Sequence, residues 1–397
     1  MAVTPLRTLE DPAADAAPRP RVLFTFDPLL MLAAFGLIAC SLVTLHGATR
    51  TLKPGSPLYY VERQGIYAGI GLACALVLMR IDYSRLREFR YPLYGLIVAA
   101  NILVFGTPAV LGAHRWFPLP FFQVQPSEFG KIMLILALGA FAADRARRLH
   151  ERRTTARIML LALIPAMIVI PQPDLGTGLV YVTIGFTVLF VAGTSWKQLA
   201  ALVTMFIVAI VCVLVVAPAV GVHVLKPYQM QRLTGFLNPS HDPGNQTYNI
   251  TQSLTAIGSG GKTGRGVAGA SQTALGYLPE DQTDFVFAVV GETYGFAGAA
   301  LVLSLYALLI WRSLRILAMA KNLYGTLIAG GILAMLMFQV FVNVGMTIGV
   351  MPITGVPLPL MSYGGSSVLV TFICLGLLQS IHIQARLMSA GKGRSLL

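Results

Sequence analysis

The sequence predicts an all-α polytopic membrane protein. Three observations carry that reading: 56% of the 397 residues are hydrophobic, only 11% are charged, and the mean hydropathy is +0.72. Apolar runs of about 17 to 22 residues recur along the chain, each long enough to cross a hydrocarbon core of roughly 30 Å. Ten transmembrane helices are expected, at 29–46, 64–79, 91–110, 127–143, 157–171, 175–192, 198–220, 285–311, 323–348 and 366–384.

Residues 1–26 are rich in Ala, Pro and Asp and lack the order of a cleavable signal, so they read as a disordered cytoplasmic tail, with the first apolar run as an uncleaved anchor. Residues 27–386 form a single ten-helix domain, and 387–397 a second cytoplasmic tail. The net charge of +13 is spread in short clusters between apolar runs, chiefly "RIDYSRLREFR" and "DRARRLHERRTTAR". That placement excludes a nucleic-acid partner and, by the positive-inside rule, puts both termini in the cytoplasm. Cys40, Cys74, Cys212 and Cys374 all lie in apolar runs without metal-ligand spacing, which excludes a disulfide framework and a zinc site. No internal repeat is evident, so an inverted-repeat transporter gains no support.

Two interruptions matter. "PQPDLGTG" separates the fifth and sixth runs and faces outside. Residues 221–284 form a large outer loop between helices 7 and 8, too long for a passive connector and with an alternating texture that argues for order.

The chain has only 16 acidic residues, yet Glu128, Asp174, Glu280, Asp281, Asp284 and Glu292 fall at outward ends of spans. Ionisable groups at depth are costly and tend to face cavities, partners or substrates. Each has a structural reading beside a functional one. Glu128 and Lys131, three residues apart, form either a structural ion pair or a lysine aimed at phosphate. Asp174 caps the sixth helix or joins the site. Asp284 opens a helix or acts as a base, with Ala288 and Glu292 expected on the same helical face. "GSGGKTGRG" is a flexible turn or a weak anion cradle carrying Lys262 and Arg265. Trp116 and Phe117, beside Arg115, are belt aromatics or the lining of a sugar or lipid groove. Lys226 and Arg232 complete the outward cations.

Seven stretches in order, "GAHRWFPL", "VQPSEFGKI", "PQPDLGTGLV", "KPYQMQRLTGFLNPSHDP", "ITQSLTAIGSGG", "YLPEDQTDFVFAVVGETYGF" and "MPITGVPLPLMSYGGSS", resemble the SEDS family of bacterial cell-wall polymerases, nearer its RodA branch than its FtsW branch. The resemblance implies a peptidoglycan glycosyltransferase that polymerises lipid II into glycan strands on the outer face of the cytoplasmic membrane. It implies a class B penicillin-binding protein as partner, and Asp284 as the essential residue of the "TDF" element. Arg115, Trp116, Glu128, Lys131, Arg232, Lys262 and Glu292 are the expected substrate-binding residues, with a divalent cation, Mg or Mn, as a candidate cofactor. Three positions depart from the family pattern. Many members have His where Gln282 stands, a second Glu where Thr293 stands, and some a basic residue at Gln123. A lipid II flippase and a non-enzymatic scaffold for a transpeptidase are the alternatives.

Overall fold

The computed structural model describes residues 26–49, 56–108, 114–118, 122–219, 221 and 245–394. Its helices are α1 (Pro28–Ala48), α2 (Tyr59–Leu78), α3 (Arg90–Leu103), α4 (Pro126–Asp144), α5 (Arg152–Val169), α6 (Leu175–Val191), α7 (Trp196–Val211), α8 (Asn245–Gly260), α9 (Val286–Met319), α10 (Leu323–Thr347) and α11 (Gly365–Arg394). A two-residue antiparallel ribbon, β1 (Phe117–Pro118) with β2 (Gln123–Val124), precedes α4.

Among the described residues, eight helices are long and apolar enough to cross a membrane. They are α1, α2, α3 with its flanking turns, α4, α7 extended to Ala219, α9, α10 and α11. α5 and α6 stand apart from that set: α5 begins with Arg152 and Arg153 and carries Pro165, and α6 has 17 residues. These two pack against each other on either side of "PQPDLGTG". α4 and α11 are apolar all round and accordingly central, with 83% and 94% of their membrane-length windows buried. α7 has 6% of its window buried, and its run, expected as one regular helix, passes through a π-helical turn at Cys212–Val216.

A buried polar knot ties three helices at the end opposite the outer loop. Asp27 caps α1 by accepting from the backbone N–H of Leu29 and Leu30 at 3.1 and 3.2 Å. Gln379 of α11 donates to the Asp27 carbonyl and accepts from its N–H, both at 2.8 Å. Arg312 of α9 donates through Nε to the Asp27 carboxylate at 2.8 Å. Every polar group of the fully buried Asp27 is thus satisfied, as burial requires.

The 221–284 loop is ordered over its described part. α8 lies along α9, and the glycine-rich turn after it docks on a break in that helix. At Gly295 the backbone takes φ 64°, ψ −158°, a conformation open only to glycine. The break frees backbone groups that cannot stay unpaired near a membrane. Phe296 and Ala297 donate to the carbonyls of Gly261 and Lys262 at 2.9 and 3.1 Å, and Arg265 N–H donates to the Glu292 carbonyl at 2.9 Å. "GSGGKTGRG" is therefore a backbone-to-backbone dock rather than a flexible turn. A Cβ at Gly264 would sit 2.2 Å from the Thr293 carbonyl oxygen, and the residue has φ +82°.

Gly264→Ala is expected to destabilise this dock by about 1–3 kcal/mol through strain and lost contact. Limited proteolysis should show faster cleavage within 260–265, with the unfolding midpoint lowered.

Candidate active site

Asp284 lies two residues ahead of α9, on a tight turn, and not on the helical face that the sequence suggests for it, Ala288 and Glu292. The turn is set by Glu280, whose left-handed φ of 54° points its carbonyl at the N–H groups of Thr283, Asp284 and Phe285, at 3.2, 3.0 and 3.2 Å. Glu280 itself is exposed, whereas Asp281, expected with it at the rim, is only 4% exposed.

Three successive carbonyls fix this turn against the loop between α10 and α11. That of Gln282 accepts from Tyr363 N–H at 2.9 Å, that of Thr283 from Ser362 Oγ at 2.5 Å, and that of Asp284 from Asn343 Nδ2 at 2.9 Å. Asn343, fully buried on α10, donates also to the Val356 carbonyl at 2.8 Å. Ser362 Oγ in turn accepts from Leu358 N–H at 2.8 Å, and the Ser362 carbonyl accepts from Gln64 of α2 at 3.1 Å. The Asp284 carboxylate is half-buried, beside the backbone of Gly355, where an added Cβ would lie 3.5 Å from Oδ2. The "PITGVPLPLMSYGG" loop is mostly buried and bonded at many points.

A second set of bonds brings in the earlier motifs. Asp174 caps α6 by accepting from Thr177 N–H at 3.1 Å, and its Oδ2 accepts from Gln125 Nε2 at 3.1 Å and Ser127 Oγ at 3.2 Å. Ser366 of α11 donates to the Gln123 carbonyl at 3.1 Å and accepts from Gln125 N–H at 3.0 Å. The start of α6 touches the same loop as Asp284, since a Cβ at Gly176 would fall 2.7 Å from the Thr354 carbonyl oxygen. Asp174 thus caps α6 and ties it to the start of α4.

The remaining expected residues divide. Glu128 and Lys131 pair at 2.5 Å and are 3% and 1% exposed, so Lys131 faces its carboxylate and not solvent. Arg115 donates through Nε to the Gln172 carbonyl at 2.7 Å and through Nη2 to that of Pro173, holding the turn before α6, with its guanidinium 6.0 Å from the Trp116 ring. Glu292 is fully buried and accepts from the N–H groups of Gln272 and Thr273 at 2.8 and 3.0 Å and from Thr273 Oγ1 at 2.6 Å. It braces the outer loop instead of standing below Asp284. Lys262 is exposed beside the Gly295 break. Arg232 and Lys226 lie outside the described residues. Asn343, Ser362 and Gln64 were missed by sequence reasoning. Their signal was a polar side chain in an otherwise apolar run or turn, which is costly unless it is bonded.

Among the described residues, no three His, Cys, Asp or Glu side chains converge as a metal's ligands.

Two predictions follow from burial. Removing one partner of a buried ion pair leaves an uncompensated charge and costs about 3–5 kcal/mol, whereas apolar replacement of both is often neutral. Lys131→Met should accordingly unfold far more readily than the double variant Glu128→Leu/Lys131→Met, measured by thermal unfolding in detergent. Asp281, in the loop outside the membrane-spanning helices, has its pKa pushed up from 3.8 to about 7 by burial, with the charge of Glu280 adding to the shift. The folded state then holds a proton that the unfolded chain has released. Stability should fall as pH rises from about 4 to about 7 and level off above, and Asp281→Asn should flatten that slope.

Residues 23–387 match the FTSW_RODA_SPOVE family model, described as cell cycle protein. The chain is 35% identical over 364 residues to peptidoglycan glycosyltransferase MrdB of Escherichia coli (strain K12), covering 91% of this chain and 95% of that one. It is 34% identical over 367 residues to stage V sporulation protein E of Bacillus subtilis (strain 168), covering 91% and 98%. Among solved structures, it superposes with a TM-score of 0.75 and 34% identity on a chain from work on the structural coordination of polymerization and crosslinking by a peptidoglycan synthase complex, covering 91% and 98%. The Thermus thermophilus rod shape determining protein RodA matches with a TM-score of 0.63 and 31% identity, covering 90% and 96%. Motifs, fold and relatives converge over nine-tenths of the molecule, and the chain belongs to the FTSW_RODA_SPOVE family, the SEDS polymerases that its seven stretches resemble.

Proposed function

We propose that this protein is a peptidoglycan glycosyltransferase of the RodA branch, polymerising lipid II on the outer face of the bacterial cytoplasmic membrane during cell elongation. The observation that carries the reading is Asp284, a half-buried carboxylate on a turn whose three carbonyls are bonded to α10 and the loop that follows it. The glycosyltransferase relatives and the synthase-complex neighbour support it. In this reading the chain crosses the membrane ten times, with α5 and α6 as the two short crossings. The outer loop lies between α7 and α9, and both termini are cytoplasmic.

Asp284 accepts the proton of the acceptor sugar hydroxyl as that oxygen attacks the donor's anomeric carbon. The new C–O bond forms as the bond to the lipid diphosphate breaks, and the diphosphate leaves with the electron pair, inverting the anomeric centre. A rigid turn keeps the carboxylate in reach of the hydroxyl, where misplacement would be costly in rate. Exposed Lys262, and Arg232 of the same loop, are the cations assigned to the departing diphosphate, where most charge develops. Any divalent cation would draw most of its ligands from phosphate oxygens.

The bonds around Asp284 gather at one end and the Asp27 knot lies at the other, while fully buried Leu134, Ile135 and Leu138 fill the centre of α4 between those ends, which favours chemistry over passage of a lipid head group. A class B penicillin-binding protein is the proposed partner, in keeping with the synthase-complex neighbour.

Asp284→Asn should lower polymer formation by about 10² to 10⁴ while leaving the unfolding midpoint nearly unchanged. The assay is purified protein with fluorescent lipid II, alone and with a partner whose transpeptidase serine is blocked. The partner should raise wild-type output about tenfold, equivalent to about 1.4 kcal/mol of coupling. Substantial polymer from the Asn variant would remove Asp284 from the chemistry.

A further inference from the structure

A group of aromatic rings at the outer end of α2 is joined through its backbone to the Asp284 turn, and no step described above uses it. Tyr59 and Tyr60 meet edge to face, with centroids 5.2 Å apart and planes at 87°. Tyr60 meets Tyr363 in the same way, at 5.0 Å and 78°. Arg63 lies one turn along α2 with its guanidinium 4.5 Å from the Tyr59 centroid. No carboxylate pairs with Arg63 among the described residues. All four side chains are half-buried.

Tyr363 is the link to the chemistry. Its N–H is the donor to the Gln282 carbonyl, two residues from Asp284, and the next residue, Gly364, donates to Gln64 Oε1 at 3.4 Å. The rings therefore sit on the framework that holds the carboxylate.

We propose that Tyr60 and Tyr363, with Tyr59 and Arg63 at the rim, form a saccharide platform that seats the glycan strand next to Asp284. This rests on the glycosyltransferase reading and adds the subsite for the polymer. Two rings near a right angle make a corner. One can stack beneath the C–H face of a pyranose while the other flanks it. Arg63 supplies a cation for carboxylates carried by substituents on the strand. A bare interfacial belt looks different: Trp196, at the opposite end of the bundle, is 73% exposed and, among the rings of the described residues, meets only Phe190, at 5.6 Å.

The test uses the full chain carrying Asp284→Asn, which cannot turn over, titrated by calorimetry with lipid-free, uncrosslinked glycan oligosaccharides of a few disaccharide units. Adding Tyr60→Ala should weaken binding about tenfold, and Arg63→Gln should weaken it only for oligosaccharides that keep their carboxylates. Tyr60→Phe should bind like the parent, which separates lost stacking from lost fold. Trp196→Ala serves as the belt control and should change nothing. No binding by the parent, unchanged binding in a Tyr60→Ala/Arg63→Gln variant, or equal weakening by Trp196→Ala would each overturn the platform. With Asp284 intact, Tyr60→Ala should shorten the polymer made from lipid II, and an unchanged length distribution would also overturn it. A chain that binds oligosaccharide through Tyr60 but makes no polymer would refute the glycosyltransferase reading and leave the platform standing.

Discussion

The site depends on three consecutive carbonyls, those of Gln282, Thr283 and Asp284, each bonded to a donor from α10 or the loop that follows it. A chain entering a membrane before its helix has begun carries acceptors that neither water nor the helix satisfies. Here they are met by a backbone amide, a hydroxyl and a side-chain amide. The same donors are anchored in turn, Ser362 by Leu358 and Asn343 by Val356. Asp284 thereby stands on a surface that cannot shift without breaking several buried bonds, each worth about 1 kcal/mol net and more if a partner is left unsatisfied.

Several other carboxylates of the bundle are likewise engaged from more than one element. Asp27 has its N–H, carbonyl and carboxylate engaged by α1, α9 and α11. Glu292 spans from α9 to the outer loop, and Asp174 from α6 to the residues before α4. Asp144 at the end of α4 is held by Arg87 and Arg90, at 2.5 and 3.0 Å. In the loop before α9, Asp284 is half-buried on the bonded turn, and burial pushes the pKa of Asp281 up to about 7.

Eight of the ten expected spans, and the acids that burial makes costly, were legible because apolar length and costly charge leave strong marks in a sequence. The roles of particular charges were not. Glu292 reads as a deep site residue by helical spacing, but the turn at 271–274 folds back over it, and that contact is twenty positions away in the chain. Arg115 reads as an anion ligand, yet it meets carbonyls 57 and 58 residues on. The glycine run reads as a cradle because its reason, the helix break at Gly295, lies in another segment. Long-range partnering decides each case, and spacing within one segment cannot reveal it.

The three departures from the family pattern acquire a common explanation. Gln282 contributes its carbonyl to Tyr363, and the exposed Gln123 contributes its carbonyl to Ser366. Thr293 turns its hydroxyl onto the Val289 carbonyl of its own helix, at 2.7 Å. At the first two positions the bond that holds the site uses the part of a residue that codon change leaves alone, and at the third the side chain is self-contained. A new side chain at Gln282 or Gln123 leaves the bonding carbonyl in place, so rim chemistry can be altered there without loosening the turn under Asp284. Replacing Asn343 or Ser362, whose side chains make the bonds, removes the donor itself.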